Sequence, residues 1–85
     1  MYFDTKFIIL LKLRNLLKKN PNAKQREIAQ TCDVSLGGVS NILHSFEQYG
    51  WLNITRITTR QTTYKLTEAG ITAGDNFIQY LSREL

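Results

Sequence analysis

Ser40, Asn41 and His44 are spaced so that a hydroxyl, an amide and an imidazole share one side of a helix, with Gly37 a turn earlier and Gln48 a turn later. Short groups of this kind make directional hydrogen bonds, and the edges of base pairs are partners that suit them. Asn41 can bond adenine through two atoms, and His44 can donate or accept. Most solvated helices carry Lys and Glu on such a face, whereas this one is polar and uncharged. Gly37 and Gly38 add to the pattern, because each costs a helix up to about 1 kcal/mol relative to Ala and so implies a gain elsewhere. Close approach of the backbone to a ligand is one such gain.

The same residues do not add up to a catalyst. The chain has one His, His44, and one Cys, Cys32. It shows no close pair of carboxylates at a recognisable cleft, no nucleophile elbow and no phosphate loop, so acid/base and nucleophilic catalysis both lack their parts. A single His without further His or Cys partners cannot build a metal site. No enzyme activity, metal or cofactor is therefore expected. Cys32 falls at the end of a helix, where its small apolar side chain suits a core.

The elements that must position these groups can be read from periodicity. Asp4 is the expected cap of a first helix running from Thr5 to Asn20, with Ile9, Leu10, Leu13, Leu16 and Leu17 as its core stripe and Pro21 as its stop. Ala23 to Cys32 reads as a short second helix, and Asp33-Val34 as a tight connection. Ser35 caps a third helix that reaches Tyr49, and Gly50 ends it. Val39, Ile42, Leu43 and Phe46 of that helix point together toward the core. Beyond Gly50, Trp51–Thr58 and Thr62–Leu66 are rich in Thr, Ile and Tyr and read as a hairpin, its tip loose and mobile because Thr59, Arg60 and Gln61 include no Gly or Asn. Thr67 caps a last helix that ends near Arg83.

Eighty-five residues make a single domain spanning 1–85, since so short a chain cannot divide its interior between two cores. Eleven Lys and Arg against seven Asp and Glu give a net charge of +4, which favours a polyanionic partner such as nucleic acid or an acidic membrane surface, and which also serves plain solubility. One cysteine cannot form an internal disulfide, and the cytoplasm is the compartment expected. The apolar run Phe7–Leu11 is far short of the roughly 20 residues that cross a bilayer, and Lys12 and Arg14 interrupt it with no cleavage site following. Neither a membrane span nor a signal peptide is expected.

Five stretches then carry a resemblance. Gln25-Arg26-Glu27-Ile28-Ala29, Asp33-Val34-Ser35, Val39-Ser40-Asn41-Ile42-Leu43, Gly50-Trp51-Leu52 and Leu66-Thr67-Glu68-Ala69-Gly70 come in the order of the landmarks of MarR-like winged-helix regulators, and the chain resembles them over almost its whole length. The resemblance implies a mainly α fold with a small β-hairpin, a winged helix-turn-helix ordered α-α-α-β-β-α. Its helix-turn-helix would span about 23–49, its wing about 51–66 and its C-terminal helix about 67–83. It also implies sequence-specific binding of double-stranded DNA for control of transcription. The third helix would lie in the major groove, Gly37, Ser40, Asn41 and His44 facing the bases. Lys24, Gln25 and Arg26 would contact phosphates with help from the helix dipole, joined by Ser35 and Gly38 and by Arg56, Arg60 and Lys65 of the wing, Arg60 nearest the tip. Two departures stand out. Lys24 occupies the place where such proteins carry a capping Thr or Ser, leaving Asn22 as the alternative cap, and the wing is shorter and less charged than many of its kind. Ser35-Leu36-Gly37-Gly38-Val39 is also similar to winged-helix modules of polysaccharide gene clusters or fused ahead of nucleotidyltransferases.

Phe7, Ile8 and Leu11 fall outside the first helix's core stripe. With Tyr2, Phe3 and the broad apolar face of the last helix, which includes Phe77, Ile78, Tyr80, Leu81 and Leu85, they exceed what one such domain buries. A homodimer is expected, its interface built from Tyr2, Phe3, Phe7, Ile8, Leu11, Phe77, Tyr80 and Leu81; the other possibility is that first and last helices pack on each other within one subunit. A dimer would set two third helices about 34 Å apart, one DNA turn, and favour a palindromic site. No small-molecule effector is evident. The alternative function is a protein-interaction or regulatory module, part of a larger chain. Single-stranded RNA is disfavoured because no exposed aromatic stacking platform is apparent.

Overall fold

A computed structural model describes residues 2–84, with side chains described from residue 5 to residue 83. The elements follow the order α1 (Tyr2–Lys19), α2 (Gln25–Cys32), α3 (Leu36–Gln48), β1 (Leu52–Arg56), β2 (Thr62–Leu66) and α4 (Glu68–Glu84). This is the α-α-α-β-β-α order that the sequence led us to expect. No helix among the described residues is long and apolar enough to cross a membrane.

The core forms where the helical stripes converge. Leu10 and Leu13 of α1, Ile28 of α2, Val39 and Phe46 of α3 and Leu52 of β1 are fully enclosed, and Ile9, Ala23, Ala29, Cys32, Leu43 and Tyr64 complete the cluster. Leu16 and Leu17 pack against its edge. Two helix starts differ from expectation. α1 already begins at Tyr2, so Asp4 lies inside the helix instead of capping it. α2 begins at Gln25, two residues later than expected, with Lys24 at the cap in extended conformation and offering no side-chain bond. Nor does Asn22 cap it. Asn20 organises this entry instead: its carbonyl oxygen Oδ1 accepts from the Asn22 backbone at 3.2 Å, and its amide donates to Glu27 Oε1 at 2.9 Å. Glu27 is thereby taken by a side chain from before the loop.

The turn between α2 and α3 rests on Asp33, held in the left-handed region at φ 58°, where an Asp is tolerated better than most residues. Val34 N–H then returns to the Ala29 carbonyl at 3.0 Å. Ser35 caps α3 as expected, its Oγ accepting from Gly38 N–H at 3.0 Å. At the far end Gly50, at φ 79°, closes a Schellman turn, in which Gly50 N–H bonds the Glu47 carbonyl and Trp51 N–H the Phe46 carbonyl, at 3.0 and 2.9 Å.

Trp51 is thus spent on the helix end, which is one reason β1 is shorter than the expected Trp51–Thr58. β1 and β2 pair antiparallel, Leu52 opposite Leu66 and Arg56 opposite Thr62. The tip is a bonded turn and not the loose connection expected: Ile57 N–H bonds the Gln61 carbonyl at 2.9 Å, and Thr58 Oγ1 accepts from the backbones of Arg60 and Gln61 at 3.2 and 3.0 Å. A threonine hydroxyl here supplies the closure for which a Gly or Asn was missing.

Thr67 caps α4, accepting from Gly70 N–H at 3.0 Å while its hydroxyl donates to the Gly50 carbonyl and its N–H bonds the Trp51 carbonyl at 2.9 Å. α4 lies on α1, where Arg14 pairs with Asp75 at 2.7 Å and Phe7 stacks on Phe77 with ring centres 5.0 Å apart. Trp51 sits among Phe7, Phe46 and Tyr49 and joins this helix pair to α3.

Candidate nucleic-acid interface

α3 presents the polar face its spacing implied. Val39, Leu43 and Phe46 are buried and Ile42 half-buried, while Gly37, Asn41, His44 and Gln48 are exposed on the other side. Ser40 is half-buried, deeper than its neighbours, and lines a small cleft with Gln25, Leu43, His44, Ile54, Arg56, Thr62 and Tyr64. The cleft runs between α3 and the inner face of the hairpin. Burial pushes the Tyr64 phenol above its ordinary pKa, against the pull of Arg56, so the hydroxyl keeps its proton at neutral pH.

The two glycines of the first turn have different explanations. A Cβ at Gly38 would stand 3.0 Å from Ser35 Oγ, so the capping bond accounts for that residue. Ser35 and Gly38 satisfy one another. A Cβ at Gly37 would meet nothing within 4 Å, so nothing in the fold calls for a glycine there.

At the start of α2, Lys24 and Arg26 are exposed beside the dipole's positive end. Gln25 is half-buried, and its amide donates to the Leu36 carbonyl at 3.2 Å, which ties this end of α2 to the beginning of α3. The three residues expected to act together thus divide into two free cations and one brace between helices.

The hairpin separates its cations as well. Side chains of paired strands alternate between faces, so Ile54, Arg56, Thr62 and Tyr64 share the face toward α3, and Lys65 falls on the opposite one with Asn53, Thr55 and Thr63. Arg60 is exposed at the tip. Arg56 has a partner that the sequence reading missed: Glu47 of α3, whose Oε2 lies 3.5 Å from the guanidinium and whose Oε1 lies 3.8 Å from His44 Nδ1. One signal was available, since Glu47 is the only acidic residue between Val34 and Thr67.

Of the expected dimer residues, Phe77 is buried within the protomer, Phe7 is half-buried against it, and Leu11 is half-buried beside Gly74. Part of the apolar surplus is therefore absorbed by packing of α1 on α4. Ile8, Tyr80 and Leu81 stay exposed, as do Ile71 and Ile78. The side chains of Tyr2 and Phe3, and Leu85, lie outside the described residues. Cys32 is buried, and desolvation raises its pKa despite nearby Lys12, so it stays a thiol in the core.

Comparison with known proteins agrees with this fold. The profile of the winged helix-turn-helix DNA-binding family matches residues 8–53. No match was found among curated proteins. Among solved structures, a variant of Staphylococcus aureus MepR, a transcription regulator of the multidrug efflux pump MepA, superposes with a TM-score of 0.79 at 22% identity, over 98% of this chain and 63% of that one. MepR in complex with DNA gives 0.73 at 19% identity, over 93% and 56%. Streptococcus pneumoniae FabT in complex with DNA gives 0.68 at 17%, over 93% and 54%. The chain spans roughly three fifths of the length of these structures, whose fold it shares.

Proposed function

We propose that this chain, which belongs to the winged helix-turn-helix DNA-binding family, is a transcriptional regulator that binds double-stranded DNA sequence-specifically as a homodimer. In this reading α3 enters the major groove and the hairpin lies along the flanking backbone or minor groove. The observation that carries it is the outer face of α3: exposed, short-chained and polar, and opened by a glycine with no structural reason to be one. Asn41 and His44 are the base readers. His44 Nδ1 faces Glu47, which leaves Nε2 for a base edge. Ser40, set deeper, reaches a base only where α3 sits well down in the groove. Lys24, Arg26, Arg56 and Arg60 supply phosphate contacts, which position the protein but do not choose a sequence. Lys65, on the hairpin's far face, contacts backbone only if the duplex wraps that side.

Several observations support the remaining parts. The exposed apolar residues of α1 and α4, Ile8, Ile71, Ile78, Tyr80 and Leu81, provide the surface for a second copy. The composition and lone cysteine fit a cytoplasmic protein. The hydrogen-bond donors and cations of this surface support the reading of the chain as a binder. That exposed apolar surface also favours the second reading, a module that docks on another protein.

The deciding experiment is selection of bound sites from random duplexes, followed by titration at several salt concentrations. A dimer that neutralises about 6 to 8 phosphates gives a log-log salt slope of about −5 to −7. Asn41→Ala is expected to relax preference at one position by about 1 to 3 kcal/mol. No duplex affinity at low salt would leave the docking module as the surviving reading.

Gly37→Ala separates the fold from its use. Added helix propensity should raise the urea midpoint, by up to about 1 kcal/mol in stability. The same methyl should weaken duplex binding, because it stands where α3 approaches DNA. A variant that is more stable and binds as well as before would remove Gly37 from the interface.

A further inference from the structure

We propose that Glu47 is an attenuating residue that holds Arg56 in an ion pair on the free protein, so that a duplex seated against α3 gains this wing cation only by displacing the carboxylate. The inference rests on the DNA-binding reading above and assigns a role within that same surface.

The argument begins with charge. From Val34 to Thr67 the chain carries Arg56, Arg60 and Lys65 and a single carboxylate, Glu47. A surface meant for a polyanion gains nothing from an acid, since a carboxylate repels phosphates and cancels a neighbouring cation. Nothing in the fold requires it either. Glu47 is only half-buried, its position near the C-terminal end of α3 is the unfavourable end for a negative charge, and its side-chain partners are His44 and Arg56.

Geometry supplies the rest. Glu47 Oε2 is 3.5 Å from Arg56 Nη1, and the two side chains are 36% and 51% exposed. Arg56 lies on the hairpin face toward α3 and lines the cleft with Ser40 and His44, so the pair spans the gap between the base-reading helix and the hairpin. An ion pair this exposed is weak enough to be exchanged for a phosphate. In a loosely held complex, where α3 has not settled in the groove, no phosphate comes close enough to displace Glu47 and Arg56 stays on the protein. When α3 is seated, backbone flanking the groove replaces the carboxylate. The seated duplex is therefore held less tightly than its contacts alone would give, by the free energy of the broken pair, while a loosely held duplex that never reaches Arg56 is little affected.

The test is Glu47→Gln, which keeps size and hydrogen bonding but removes the charge, made alone and together with Arg56→Ala. On the duplex recovered by selection, Glu47→Gln is expected to raise affinity about threefold, the scale of an exposed ion pair, with the log-log salt slope as in the wild type because Arg56 meets phosphate in both. On random-sequence duplex the rise should be smaller. In the Arg56→Ala background the gain on the selected duplex should fall to that on random duplex. An unchanged affinity for the selected duplex, or a full gain that persists without Arg56, overturns the inference while leaving DNA binding intact. A wild-type chain that binds no duplex overturns the reading beneath it, and that result shows before any variant is made.

Discussion

Phe46→Ala is expected to destabilise the domain by about 3 to 5 kcal/mol, the usual cost of truncating a fully enclosed aromatic ring. Phe46 is 0% exposed, lies 5.5 Å from the Trp51 ring, and lends its carbonyl to the turn that ends α3. It is the point where α3 is fastened to the rest of the molecule. A domain of this size has in total about 5 to 13 kcal/mol to lose, so the variant should show a large fall in urea midpoint, with part of the population unfolded at 37 °C. DNA binding should fall only as the folded fraction falls, because Phe46 has no part of the outer face. A midpoint equal to the wild type's would mean that α3 is anchored elsewhere.

Gly70→Ala is expected to cost about 3 kcal/mol through the opposite defect, an excess of atoms. A Cβ at Gly70 would collide with the Trp51 carbonyl oxygen and stand 3.0 Å from its carbon, and both are backbone atoms that no rotamer change can move. Either α4 must lift away or the link from α3 into β1 must shift. Thermal unfolding should show this as a drop of roughly 12 to 24 °C, at about 4 to 8 °C per kcal/mol for a domain of this size. Gly37→Ala is the natural control, the same change in a helix with open space around it.

What could be read from the chain and what could not divide along the range of the interactions. The stripe Ile9, Leu10, Leu13, the Ser35 cap, the Gly50 stop and the Thr67 cap are set by residues within a turn of one another, and each is found as expected. The start of α2 was misplaced because Asn20, four residues before Lys24, took the work sought from a local cap. The hairpin tip was misjudged because turn chemistry was sought in Gly and Asn and not in the Thr58 hydroxyl. At the surface, hydrophobicity marked Phe7 and Phe77 as residues in need of cover, but could not say that each would cover the other across seventy positions of sequence. Glu47 escaped for the same reason. Its role depends on Arg56, which only the folded hairpin brings to α3.

The joint between α3 and α4 has a mechanical meaning. Thr67 bonds the chain at Gly50 and at Trp51, and Gly70 rests directly on the Trp51 carbonyl, so the end of one helix and the beginning of the other are fastened within a few residues without slack. A torque applied along α4 is delivered to α3 as through a crank. In the DNA-binding reading proposed above, the angle at which α3 meets a duplex is then set in part from the far end of the molecule, through α4.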